Sequence, residues 1–252
     1  MQLFGKRVPA AASLLVWALA WEIVGQAGLT ALFPPLSSVM VKLAEIVAVP
    51  AFWDALALTA RTYVTGTAIA IAAGTPIGLL MGRSQVADGL LLPWVNTFTS
   101  APLSAMVPVI MALFGFGETT IVLIVILFAI WIIILDARAG ARSISPSLVE
   151  MAAAFGATRW QAFSKIYLWA ALPEILTGIR LGLIRAVKGV IIGQLLVSVV
   201  GFGHMFEIYS SNFLMEHMWA LLLVLFALAF LIDALLARIE RRIEYFAASR
   251  SP

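Results

Sequence analysis

Apolar residues along this chain fall into long runs divided by short polar intervals, not into the period-two alternation of a half-buried strand. A bilayer core about 30 Å thick needs roughly 20 apolar residues per helix, and six runs approach that length. They predict spans at about 9–29, 57–81, 90–114, 119–136, 175–200 and 218–237. The fourth is the clearest, with 15 consecutive apolar residues from Ile121 to Leu135, closed by Asp136. In the second, Ala70, Gly74, Gly78 and Gly82 recur every four residues, the spacing that lets helix backbones approach closely in lipid, and Pro76 predicts a kink. The third holds Pro93, Pro102 and Pro108 and is predicted to be broken or strongly bent, which a membrane tolerates where the backbone is buried in protein or lines a cavity. The fifth is unusual in carrying Arg180, Arg185 and Lys188 on one arc, while Gly178, Gly182, Ala186, Gly189 and Gly193 gather on another. Ionisable groups inside a span usually face a partner or a wet cavity.

Between the fourth and fifth runs lies the longest amphipathic, charge-bearing interval, Ser145 to Pro173. Ser145-Pro146 reads as an N-cap and first helical residue, because Pro needs no N–H there. Gly156 stops that helix in the left-handed conformation, and Thr158-Arg159-Trp160-Gln161 has the spacing of a capping box that opens a second. The second helix is expected to place Trp160, Phe163 and Tyr167 on one side. Two further intervals are expected outside the bilayer: Phe33 to Ala55 as a short amphipathic segment, and Gly201 to His217 as a loop with a turn at Gly201-Phe202-Gly203.

Composition agrees with the pattern. With 63% hydrophobic residues, 12% charged and a mean hydropathy of +1.05, too few charges remain to clothe a soluble domain of 252 residues. The chain is therefore read as one transmembrane domain, 1–252, all-α and polytopic. Lys6, Arg7, Arg83, Arg138, Arg142, Arg159, Lys165, Arg238, Arg241, Arg242 and Arg250 fall on one side of these spans, and only Lys42 and Arg61 on the other. The positive-inside rule then puts both termini and the interval 137–174 in the cytoplasm. The first run also resembles the start of a signal peptide, with Lys6-Arg7 ahead of it and Ala18-Leu19-Ala20 shaped like a cleavage site, but it continues through Ile23 and Val24 and the rest of the chain inserts anyway, which favours an uncleaved span. Glu22 near its end reads as a carboxylate at headgroup level.

Chemistry is sparse. There is no phosphate-cradling G-x-x-x-x-G-K-[ST], no H-E-x-x-H and no cysteine, so disulfides, thiol chemistry and the usual ATP loop are excluded from this chain. His204 and His217, near Glu207 and Glu216, fit surface hydrogen bonding better than a metal site. No nucleophile has a base at a suggestive spacing, and nothing points to nucleic acid; an enzyme reading has little support.

Glu150-Met151-Ala152, then Gly156, then Ile166 and Leu168 resemble the EAA loop of permease subunits in ABC importers. PLSAMVPVIMALFGFGE (102–118) and AGARSISPSLVEMAAAFGA (139–157) are similar to the branch that serves nitrate, taurine and alkanesulfonates, and the likeness runs from about Phe33 to Gly203. This sequence departs from the pattern at Met151, at Trp169 where the motif has proline, at Thr99 and at Asp136. The resemblance implies a type I ABC importer permease-like fold, with Glu150, Met151, Ala152, Ala153, Gly156, Ala157, Ile166 and Leu168 on a cytoplasmic loop that docks ATPases. It also implies two ABC ATPase subunits that bind ATP and Mg, a periplasmic or lipoprotein solute-binding protein, a second permease copy and a place in the bacterial inner membrane, with no cofactor in this chain. Pro102, Pro108, Arg185, Lys188 and Gln194 become candidates for the translocation path of a small anionic solute. Structural ion pairs with Asp136, Glu22 or Asp233 fit Arg185 and Lys188 better still. The alternatives are a secondary carrier, although no internal repeat is evident, and for the loop a hairpin lying on the membrane surface.

Overall fold

The computed structural model describes residues 2–3, 6–7, 10–197 and 199–248. Helices α1 (Ala10–Gln26), α2 (Leu36–Ala48), α3 (Pro50–Arg83), α4 (Gln85–Ser100), α5 (Val107–Phe114) and α6 (Glu118–Arg142) make up the first half. They are followed by α7 (Pro146–Ala154), α8 (Arg159–Ala162), α9 (Leu168–Ala170), α10 (Leu172–Val197), α11 (Gly201–Ser211) and α12 (Met215–Ala248). An antiparallel pair of two-residue strands, Gln2–Leu3 with Lys6–Arg7, leaves the class all-α.

Among the described residues, three helices are long and apolar enough to cross a membrane: α3, α6 and Met215–Arg238 of α12. Two bent pairs raise the number to five: α4 with the stretch Leu103–Phe114, turned by 99°, and α10 with α11, turned by 47°. The apolar α1, at 17 residues, is shorter than a full span. The break expected from the prolines of the third run is therefore present, with Pro102 at the bend before a 3-10 turn (Leu103–Met106) and Pro108 in the first turn of α5. Pro76 lies inside α3 without ending it.

Element boundaries differ from the apolar runs where local chemistry favours helix. α3 begins at Pro50, whose missing N–H costs nothing at a helix start, so Asp54 belongs to the long helix and not to a separate outer segment. α6 continues past Asp136 to Arg142, so the interval expected to begin at 137 starts as helix. Residues 201–211, expected as loop, form α11, because Phe202 and Met205 are buried against Phe52 and Leu221 after a single turn at Gly201 (φ +64°).

The centre is α6, held between α3 and α10. Ile121, Ile124, Val125, Ala129 and Ile133 of α6 join Ala70, Ala186 and Val190 in one fully buried cluster. The small residues on both flanking helices explain the close approach: a Cβ at Gly74 would sit 3.1 Å from Ile133, and one at Gly182 would sit 2.6 Å from the same side chain. The spaced glycines of the second and fifth runs thus face the same helix. A second core joins α2, α3, α11 and α12 through Val39, Ile46, Phe52, Phe202 and Leu221. α1 is tied on by Trp21, which stacks with Phe33 and meets Trp219 edge-on at 5.1 Å. Glu22 accepts hydrogen bonds from the Ser37 N–H (2.9 Å) and hydroxyl (2.8 Å), so it caps the start of α2.

Candidate functional site: the inter-helix loop and the charged face of α10

The interval after α6 folds as two short helices around a glycine turn. Gly156 has φ +73°, and the Ala157 N–H donates to the Ala152 carbonyl at 3.0 Å, the long closing bond of a Schellman cap on α7. The next helix starts with a reciprocal capping box: the Thr158 N–H donates to the Gln161 side-chain oxygen (2.9 Å), and the Gln161 N–H donates to the Thr158 hydroxyl (3.3 Å). Both caps were readable from residue type and spacing alone.

Exposure divides the loop into two sides. Ala152 is buried, whereas Glu150, Met151, Ala154 and Gly156 are exposed and Ala157 is half-buried. Ala153 lies in α7, its side chain outside the described residues. Leu148, Met151, Phe155 (86% exposed) and Trp160 (71% exposed) are uncovered apolar residues of the loop, and Glu150 makes no ion pair with any described residue. Trp160 stacks on Phe163 at 5.8 Å as expected. Tyr167 does not continue that side: a π turn over Phe163–Tyr167 rotates it inward, where it is buried under the Arg83 guanidinium, 3.5 Å from the ring centroid. Ile166 is half-buried and Leu168 sits at the edge of exposure.

The loop packs on α3 and α6 and runs on into α10. Arg83 ends α3, so its stacking on Tyr167 ties that helix to the loop. Gly140 of α6 lets Ala171 approach closely, since a Cβ there would lie 2.9 Å from the Ala171 carbonyl oxygen. Beside it, the buried Asp88 at the start of α4 accepts hydrogen bonds from Arg138 (2.9 Å from Nη2, with a second, shorter bond from Nε) and from Arg142 (2.9 Å) of α6. Nothing in the local sequence announces the Arg83 and Asp88 contacts. Their partners lie 50 or more residues away, and only the packing of α3, α4 and α6 brings them together.

The candidate path residues do not converge on one point. Arg185 is half-buried and interacts electrostatically with Asp136, whose Cβ packs against Gly178. Lys188 is exposed and lines a cavity of about 260 Å³ with Asp233 and Phe230 of α12. Gln194 is buried and paired with Thr59 of α3, its amide donating to the Thr59 hydroxyl at 2.8 Å. Pro102 and Pro108 belong to the bend between α4 and α5.

Residues 74–245 match the family described as "Binding-protein-dependent transport system inner membrane component". The chain belongs to this permease family. It is 30% identical over 236 residues to the taurine transport system permease protein TauC of Escherichia coli, covering 91% of this chain and 85% of that one. It is 28% identical over 187 residues to the putative aliphatic sulfonates transport permease protein SsuC of Bacillus subtilis, covering 73% and 68% of the two chains. To the glycine betaine/proline betaine permease protein ProW of Escherichia coli it is 30% identical over 200 residues, covering 79% and 54%. Among solved structures, the inward-facing MetNI methionine ABC transporter aligns with a TM-score of 0.58 at 24% identity, over 76% of this chain and 94% of that one. An amino acid ABC transporter crystallised with histidines aligns with a TM-score of 0.63 at 19% identity, over 79% and 97%.

The protein is thus a membrane-embedded permease of a binding-protein-dependent ABC importer, and its fold is that of type I importer transmembrane subunits. In this permease the EAA-like residues occupy α7, its glycine cap and the turn before α10. The exposed Leu148 and Phe155 were not singled out from the sequence, although large apolar residues in a charge-bearing interval are a signal of a covered surface.

Proposed function

We propose that two ATPase subunits grip the permease at Leu148, Met151, Phe155 and Trp160, and that their ATP-driven closure moves α3, α6 and α10 to pass a small acidic solute inward. The supporting observation is the combination of four uncovered apolar residues with caps on both sides of Gly156, packing on α3 and α6 and continuity into α10. Such a unit can carry a rigid-body motion into the spans. ATP and Mg belong to the ATPases in this reading, and this chain holds neither. The solute reaches the permease from an external binding protein, and a second permease copy completes the path. Both termini and the loop face the cytoplasm, as the Lys and Arg distribution favours.

For the solute, relatives whose names specify taurine, aliphatic sulfonates, betaines and carnitine share a compact organic molecule with an acid group. The basic residues Arg185 and Lys188 on α10 suit that group. Mild purification of the tagged permease tests the reading: a nucleotide-binding ATPase should co-purify at one copy per permease. Recovery of the permease alone, folded and still able to move solute down an ion gradient, would replace it with a secondary carrier.

A further inference from the structure

A cavity of about 470 Å³ lies at the end of the bundle opposite the coupling loop, lined by Asp54, Leu58 and Arg61 of α3 and by Val200, Gly201 and His204 at the start of α11. Its position follows from α3 itself. The helix is continuous from Pro50 to Arg83, so about 22 residues at roughly 1.5 Å each set Arg61 some 33 Å from the Arg83–Tyr167 contact, close to a bilayer core's thickness.

The charges of this cavity are unequal. Asp54 and Arg61 are two turns apart and share a face of α3. Arg61 is already engaged: its Nε and Nη2 donate to the two carboxylate oxygens of Glu118 on α6 at 2.6 and 2.5 Å. Asp54 and His204 form no hydrogen bond or ion pair with any described residue. The mouth therefore holds one guanidinium against two carboxylates, with an imidazole that can donate or accept a hydrogen bond, over a wall of alanine, leucine, valine and methionine. A solute with only negative charge would meet the unpaired Asp54 and gain little. A solute with an ammonium group would satisfy Asp54, while its acid group could reach Arg61 and His204 across the apolar floor.

We infer that this cavity is a solute site of the permease itself, at the mouth facing away from the ATPases, and that it takes a small zwitterion bearing one ammonium group and one sulfonate or carboxylate. The inference deepens the importer function proposed above and rests on it. Asp54 is the selective residue, since it separates zwitterions from simple anions. Deeper in the membrane, the Arg185 and Lys188 side of α10 then meets the acid end of the same molecule.

The test uses the permease–ATPase complex in lipid nanodiscs without binding protein, and isolating that complex is itself the separate check on the importer reading. Titration calorimetry compares taurine and glycine betaine with ethanesulfonate, which lacks the amine, and ethylamine, which lacks the acid. At least one zwitterion should bind, with both single-charge analogues roughly tenfold or more weaker. Asp54→Asn should weaken the zwitterion by a similar roughly tenfold factor. Ala57→Phe, which fills the cavity without removing a charge, should weaken it as well, and both variants should keep the parent unfolding temperature. Ethanesulfonate binding as tightly as taurine, unchanged binding in Asp54→Asn or in Ala57→Phe, or no binding of either zwitterion would each overturn the site.

Discussion

Gly156 has no side chain to pack, and its importance comes from backbone torsion. A Cβ placed there would meet nothing within 4 Å, yet at φ +73° a side chain on an L-residue carries a conformational cost of about 1–2 kcal/mol. Gly156→Val should therefore insert and fold at close to normal membrane levels but misdirect the second loop helix, abolishing solute-stimulated ATP hydrolysis. Gly156→Asn, which tolerates the left-handed region, should retain most of it. Reconstituted ATPase assays with and without solute separate the two, and full stimulation in Gly156→Val would remove the turn from the coupling path. At this scale the sequence was informative where the chemistry is local. The Thr158–Gln161 box and the Gly156 cap involve residues three to five apart, so spacing alone reveals them. Asp88 with Arg138 and Arg142, or Arg83 with Tyr167, are pairings made by tertiary packing, for which the chain has no local signature.

At the scale of elements, α6 depends on the glycines of its neighbours. A Cβ at Gly78 would overlap the Ile134 carbonyl oxygen and approach the Ala137 methyl to 2.7 Å, so relief requires moving backbone and not merely a flexible side chain. Gly78→Leu should cost more than the roughly 1–3 kcal/mol of ordinary overpacking and sharply lower both membrane yield and unfolding temperature. Gly89→Leu, at an exposed position with nothing within 4 Å, should do neither. Thermal unfolding of the two purified variants makes the comparison, and equal melting would deny that α3 and α6 are in backbone contact. The four-residue recurrence of small residues made this packing legible, and three prolines in one run made the 99° bend legible. α11 was not, because Gly-Phe-Gly has the composition of a turn and only the burial of Phe202 against Phe52 shows that the chain continues as helix. The ends of α3 and α6 were also missed, since hydropathy marks where apolar residues stop and not where backbone hydrogen bonding stops.

Taken whole, the permease has a loop end and a far end joined by α3. At one end the loop is fixed to α6 and α10 by chain continuity and to α3 by Arg83 over Tyr167; at the other, Asp54, Arg61 and His204 surround an open cavity. Displacement of the loop would therefore be felt along the same helix that carries the proposed solute site. Everything in this arrangement depends on whether an ATPase covers Leu148, Met151, Phe155 and Trp160. The most direct measurement is cysteine cross-linking in the assembled transporter, with the reactive residue introduced at the exposed Ala154 and, as a reference, at the exposed Ala57 on the far end. Docking there predicts that Ala154→Cys cross-links to the ATPase subunit, with a yield that changes when nucleotide closes the ATPases, and that Ala57→Cys does not. The contradicting result is an intact complex in which no position from Glu150 to Ala157 cross-links to an ATPase, which would make the loop a hairpin lying on the membrane surface.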